Sequence, residues 1–264
     1  MTATETERYV QRDQPEGVPP LALTGERTLP DVPEENYWFR RHLVVYRWIA
    51  ERVAGMRVVD MACGEGYGTA ELARAAARVT GVDANPEASE HAKAKYAGPK
   101  VEIVRDLIEV YAPPEPADAV VFLQTIEHVQ DPLEVLRHFG RILAPGGTVY
   151  VSTPNLLTLA PPGAEKSDNP WHVKEYRAAE FRELCGAAFG DVELLGVFHA
   201  RKLRAHELAL RAGWDRVHKA LGVTGAFYGR FTPAIDERDF ALRPGGLDGA
   251  LDFLAVCRRP LAGA

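Results

Sequence analysis

Val58-Val59-Asp60-Met61-Ala62-Cys63-Gly64-Glu65-Gly66-Tyr67-Gly68 is the stretch on which the reading of this chain turns. Two β-branched residues run into an acid, then a loop carries glycine at every second position, and Thr69-Ala70-Glu71-Leu72-Ala73-Arg74 continues as a helix. A strand, a glycine loop and a helix make a cradle for a small ligand at the carboxyl end of a strand. Glycine lets the backbone approach that ligand and adopt positive φ. A dinucleotide loop places its glycines at positions one, three and six. Here they fall at Gly64, Gly66 and Gly68, and the sixth position is Thr69. Asp60, four residues before Gly64, also lies outside the dinucleotide pattern.

Outward from this stretch, strands and helices alternate. Strands are expected over 56–61, 79–83, 101–104, 117–123, 148–152, 192–199 and 251–257. Residues 117–123 form a continuous apolar run, as a strand buried on both faces requires. Helices are expected over 35–54, from Asn85-Pro86-Glu87, from Asp131-Pro132, over 178–188 and over 201–221. Asn or Asp before Pro is a helix start, because the side chain caps and proline fits the first turn. This alternation predicts an α/β fold, a parallel sheet with helices on both faces. Such sheets bind ligands beyond the strand ends where the strand order reverses. Residues 1–30, rich in Thr, Glu, Pro and Gly, read as a flexible or loosely packed arm before a single domain over 31–264. Residues 201–249 are long for a connection and are read as a helical cap inserted before the last strand.

The 264 residues are 46% hydrophobic and carry a formal net charge of −6. That charge argues against a nucleic-acid partner held by phosphate contacts. No apolar run approaches the length of a membrane span, and the polar N-terminus carries no export signal core. Cys63, Cys185 and Cys257 are far apart, so neither a disulfide framework nor a zinc site is expected, and a reducing cytoplasm fits.

The 60–68 stretch resembles the first motif of class I S-adenosylmethionine (SAM) methyltransferases: an acid, an apolar residue, Gly, Cys, Gly, any residue, Gly. Ala62 stands where the family has its first glycine, a change of one methyl group. The resemblance covers about 36–199 and the final strand. It implies a Rossmann-like, seven-stranded, mostly parallel sheet with an antiparallel last strand, and SAM as cofactor, with Asp60, Ala62, Gly64 and Gly66 at its site.

Asp83 ends the second strand, where an acid can accept hydrogen bonds from both ribose hydroxyls. By resemblance, Asp106 takes the adenine amino group and the Leu107 amide meets the ring. Phe122, Leu123 and Gln124 close the fourth strand beside the glycine loop, with Gln124 the polar contact to the methionine portion. Arg40 or Arg41 could hold the methionine carboxylate, since a guanidinium suits it, or could simply face water. Tyr37 and Trp38 could cover the cofactor or fill the core. His128, in Glu127-His128, is the candidate general base, because an imidazole can take a hydroxyl proton near neutral pH. Trp171, His172 and His199 are candidate substrate contacts. The histidine spacing demands no metal, so none is assigned; divalent-ion dependence, known among sugar methyltransferases, stays open. The basic run 201–206 reads as a solvated helix face or a lure for an acidic substrate.

The expected reaction is methyl transfer from SAM to a hydroxyl of a small molecule or carbohydrate. Leu23 to Pro30, Glu35 to His42 and Phe198 to Leu203 resemble actinobacterial methyltransferases linked to methylglucose lipopolysaccharide, which implies sugar or polysaccharide O-methylation. The alternatives are a quinone or lipid methyltransferase and a non-catalytic SAM-binding protein. An apolar cap pocket would favour the quinone reading, and a polar groove with aromatic platforms the sugar reading.

Overall fold

The computed structural model describes residues 8–24, 27–161 and 163–261. Eight strands, β1 Arg57–Met61, β2 Arg78–Val82, β3 Val101–Val104, β4 Ala117–Leu123, β5 Leu143–Pro154, β6 Phe189–His199, β7 Phe240–Arg243 and β8 Asp252–Pro260, form one sheet. Nine helices accompany them among the described residues: α1 Asn36–Ala50, α2 Tyr67–Ala73, α3 Pro86–Tyr96, α4 Pro132–Ile142, α5 Leu156–Leu159, α6 Ala178–Gly186, α7 Arg201–Arg211, α8 Trp214–Ala220 and α9 Thr224–Phe231. No helix among the described residues is long and apolar enough to cross a membrane.

The strand order is β3-β2-β1-β4-β5-β8-β6-β7. Strands β3, β2, β1, β4 and β5 pair in parallel, while β8 runs antiparallel to both β5 and β6. The order reverses between β1 and β4, where the expected crevice must open. Along β4, Val120 and Phe122 enter one apolar cluster, while Ala119, Val121 and Leu123 enter the other. Each face of the sheet therefore buries its own core, as a parallel strand between two helix layers requires. Asn85 and Asp131 cap α3 and α4, accepting from Ala88 N at 3.0 Å and Glu134 N at 3.1 Å.

The structure departs from expectation in three places. The sheet has an eighth strand, β7, which lies inside the segment read as helical and pairs antiparallel with β6. With four residues, it is too short to display a strand period in sequence. The helix read over 201–221 is broken by Gly213 at φ +93° into α7 and α8. The arm, where described, packs closely. Leu21 and Leu29 are buried with Val32, Arg8 bridges to Ala22, and buried Gln11 accepts from Lys95 at 2.7 Å. Three scattered apolar residues suffice to dock a segment whose average composition is polar.

The 201–249 insertion rests on α1. Asn36 Nδ2 donates to Thr232 O and Ile235 O at 2.9 Å each, and Glu237 pairs with both Arg40 and Arg47. Its interior is aromatic, with Phe227 against His206, Trp214 and Phe231. The cap role expected for it is not what these contacts provide: no residue of 201–249 lines the crevices described below.

Candidate active site

The chain leaves β1 through Ala62 at φ +56° and leaves β4 through Gln124 at φ +52°. Both are non-glycine residues in the left-handed region, on the two strands that flank the switch point. Local strain of this kind gathers at ligand sites. An L-residue in that region costs about 1–2 kcal/mol, whereas glycine there forfeits about 0.4–1 kcal/mol through the unfolded chain. The Ala62 departure is thus a matter of backbone conformation more than of added volume. Ala62→Gly is expected to stabilise the fold by up to about 1 kcal/mol, read as a higher denaturation midpoint in urea.

The loop between β1 and α2 is held from several sides. A Cβ on Gly68 would stand 2.1 Å from Tyr46 Cζ, so α2 can pack on α1 only with glycine there. Buried Glu65 accepts from Tyr67 N at 3.0 Å, Lys95 Nζ at 2.8 Å and Tyr96 OH at 3.0 Å, which ties the loop to α3. Asp60 serves this loop from beneath and lines none of the three crevices. It accepts from Thr69 Oγ1 at 2.6 Å and Tyr46 OH at 3.3 Å. Burial pushes its carboxyl up from 3.8 to about 7, against the pull of those hydrogen bonds. A carboxyl raised on folding holds its proton more tightly in the native state, so its contribution is full below about 4 and fades as pH climbs towards 7. Asp60→Asn, which stays neutral, is therefore expected to gain melting temperature relative to wild type between about pH 5 and pH 8.

Three adjoining crevices open beside the loop. The first, about 520 Å³, is lined by Ala62, Asp83, Leu107, Ile108 and Val135 among others. The second, about 290 Å³, is lined by Arg27, Thr28, His42, Gly64 and Gln124. The third, about 400 Å³, is lined by Glu34, Glu35, Trp38, Glu127, Asn169 and His172. His128 lines all three, and Asp83 and Ala62 line the first two. Asp83 Oδ2 accepts from Gly64 N at 2.8 Å and Oδ1 from Asn85 N at 2.9 Å, so its carboxylate is fixed at the crevice floor.

SAM fits these crevices by chemistry. An apolar first crevice suits the adenine, an anchored carboxylate at its border suits the ribose diol, and a polar second crevice suits the amino-acid tail. His42 suits the sulfonium, because burial depresses its ring to about 4 and keeps it neutral beside a cation.

Several expected site residues lie elsewhere. Arg40 pairs with Glu237 at 3.3 Å and Asn36 Oδ1 at 3.1 Å and lines no crevice. Arg41 is buried on Asp252 and donates to Leu251 O at 2.8 Å. The guanidinium at the glycine loop is that of Arg27, with its side chain 3.8 Å from the Cβ position of Gly64. It comes from the segment read as a loose arm, within the 23–30 stretch whose likeness to actinobacterial methyltransferases carried no ligand role. Asp106 binds its own neighbour, Leu107 N, at 2.8 Å and lines no crevice, whereas Leu107 does. Gln124 reaches the second and third crevices, with Nε2 on Ser152 Oγ at 3.0 Å. Trp171 is 63% exposed and lines no crevice; its carbonyl faces His128 Nδ1 at 3.1 Å. His199 joins Tyr37 OH at 2.8 Å and Glu207 at 3.3 Å, linking α1, β6 and α7 away from the crevices. His172 does reach the site, its ring centre 4.9 Å from that of His128. The fold brings Glu127, His128 and His172 together, with donor atoms all within 4.8 Å of one another. His172 stands 44 positions after His128, a separation that gives no spacing from which this could be read.

A family described as a methyltransferase domain matches residues 37–208. A probable S-adenosylmethionine-dependent methyltransferase of Mycolicibacterium smegmatis is 41% identical over 251 residues, covering 91% of this chain and 96% of the relative. One from Mycobacterium tuberculosis is 37% identical over 252 residues, covering 91% and 90%. The solved N-methyltransferase NodS of Bradyrhizobium japonicum, in complex with S-adenosylhomocysteine, superposes with a TM-score of 0.52 at 16% identity, covering 88% and 91%. The last likeness is one of fold.

Proposed function

We infer that this chain, which belongs to the S-adenosylmethionine-dependent methyltransferases, methylates a hydroxyl of a carbohydrate. One observation carries the choice of acceptor. The third crevice joins the cofactor crevices through His128 and Gln124, and its wall sets Glu34, Glu35 and Asn169 among the apolar surfaces of Trp38, Pro154 and Leu159. Glu34, Glu35 and Asn169 offer acceptors and donors for hydroxyls, and the half-exposed Trp38 offers a flat face for a ring. An apolar quinone or lipid tail would desolvate the Glu34 and Glu35 carboxylates without offering them a hydrogen bond in return.

In this reading Asp83 grips the ribose, Ile108 and Val135 enclose the adenine, and Arg27 meets the methionine carboxylate. SAM supplies an electrophilic methyl on a sulfonium. The protein supplies alignment and a dry junction, and the acceptor proton leaves at the cluster around His128. The free buried thiols Cys63, Cys185 and Cys257 suit a reducing cytoplasm as the place of reaction.

The test is incubation of the protein with methyl-labelled SAM and separated carbohydrate and quinone–lipid fractions of the host. Label in the carbohydrate fraction supports the reading. Label confined to quinones or lipids overturns the acceptor class. Saturable S-adenosylhomocysteine binding with no labelled acceptor overturns catalysis.

A further inference from the structure

Glu127 and His128 lie on the short turn Ile126–His128 that follows β4, and His172 lies on the loop after α5. That loop is stitched to the turn, because Val173 N and Lys174 N donate to Glu127 O at 2.8 and 3.1 Å. The three side chains are therefore placed by backbone hydrogen bonds and not by chance surface encounter. All three line the third crevice, and Glu127 and His172 are almost wholly buried, at 2% and 6% exposure.

The hydrogen bonds also set the tautomers. His128 Nδ1 faces Trp171 O at 3.1 Å, and His172 Nδ1 faces Glu175 Oε1 at 2.6 Å. A carbonyl and a carboxylate both accept, so each ring donates through Nδ1. His172 Nε2 accordingly accepts from Asn169 Nδ2 at 3.0 Å. Glu175 is itself held, with Ser167 N donating to it at 2.8 Å. A carboxylate orienting a histidine through Nδ1, with Nε2 left as ligand, is the supporting arrangement of metal-binding imidazoles. Glu127 Oε2 accepts from Thr153 Oγ1 at 3.0 Å, which orients the third donor.

We propose that Glu127, His128 and His172 bind a divalent cation through one carboxylate oxygen and two Nε2 atoms, and that its open positions take two neighbouring hydroxyls of the acceptor. Two imidazoles and one carboxylate suit manganese, iron, cobalt or zinc better than magnesium or calcium. Metal–ligand bonds of about 2.0–2.2 Å bring donor atoms to about 3–3.5 Å from one another, so side-chain shifts of about an ångström close the site and exchange the Asn169 hydrogen bond for the cation. Three protein ligands leave coordination positions free. A hydroxyl held there is acidified by the cation's charge and releases its proton to water. This inference rests on the O-methylation reading and sharpens one part of it: His128 acts as a ligand, and the cation takes over the task of a base.

The test uses chelator-stripped full-length protein titrated with manganese chloride, followed by calorimetry and by the manganese paramagnetic signal. One saturable site per chain is expected. Binding should weaken at least about 100-fold in Glu127→Gln and His172→Ala, and about 10–100-fold in Glu175→Gln. The isosteric Glu127→Gln should keep its melting temperature and its S-adenosylhomocysteine affinity, which shows a folded protein. Absence of saturable binding, or binding unchanged in both Glu127→Gln and His172→Ala, overturns the site. Full methyl transfer in excess chelator also overturns it while leaving the O-methylation reading intact. Manganese binding lost in those variants, with no transfer to any acceptor, leaves the site standing and removes that reading.

Discussion

Asp83→Ala is expected to weaken S-adenosylhomocysteine binding by about 100-fold or more, measured by calorimetry on the purified protein. Each hydrogen bond to a charged group contributes about 1.5–3 kcal/mol, and a ribose diol offers two. The carboxylate has a second task. It accepts from Gly64 N and Asn85 N, so its removal also leaves two backbone donors at the crevice without their partner. Asp83→Asn retains one oxygen acceptor and should fall between, at about a tenfold loss. The two variants together separate the ribose contact from loop anchorage, since the loop keeps one anchor in the amide. Affinity within about threefold of wild type in Asp83→Ala would remove Asp83 from the cofactor site.

Turnover in His128→Ala should drop by about 10²–10⁴-fold with cofactor affinity changed only a few-fold, the range expected when proton transfer at the reacting group is lost. His128 lies where all three crevices meet, so the change acts on the step and not on one binding subsite. Its Nδ1 is committed to Trp171 O, which points Nε2 at the junction whether it takes the proton itself or holds the cation that releases it. Single-turnover rates with saturating cofactor read this directly. Undiminished turnover with a hydroxyl acceptor would eliminate His128 from the reaction.

Much of the fold was legible in the sequence because its signals are local. The apolar run of β4, the Asn85-Pro86 and Asp131-Pro132 helix starts and the glycine loop each act within a few residues, and the structure has them where the pattern puts them. The strand β7 escaped because four residues cannot show a period. The packed arm escaped because Leu21, Leu29 and Val32 work as a cluster only once folded back on one another.

The site was legible in part, along the same division. Gly64, Ala62, Leu107 and Gln124 lie at strand ends whose position follows from the strand order and line the crevices there, whereas Gly66 packs on α3 and lines none. Arg40 was a reasonable guanidinium on a reasonable helix, yet the insertion docked on α1 supplies Glu237 and takes it away from the cofactor crevices. The guanidinium beside the glycine loop is instead that of Arg27. Asp60 reads as a ligand residue and serves as a buried clamp, because its side chain meets Thr69 and Tyr46 before it can reach the crevice.

The sequence by itself determined that a parallel sheet carries a glycine loop with an acid at the next strand end, and hence that a SAM-type cofactor has its place there. Those features depend on chain-neighbour geometry, which residue order dictates. Only the tertiary structure decided that His172 joins Glu127 and His128 and that Glu34, Glu35 and Trp38 wall the crevice beside them. Side chains separated by tens of residues acquire a common neighbourhood only through packing, and nothing in their spacing along the chain encodes it.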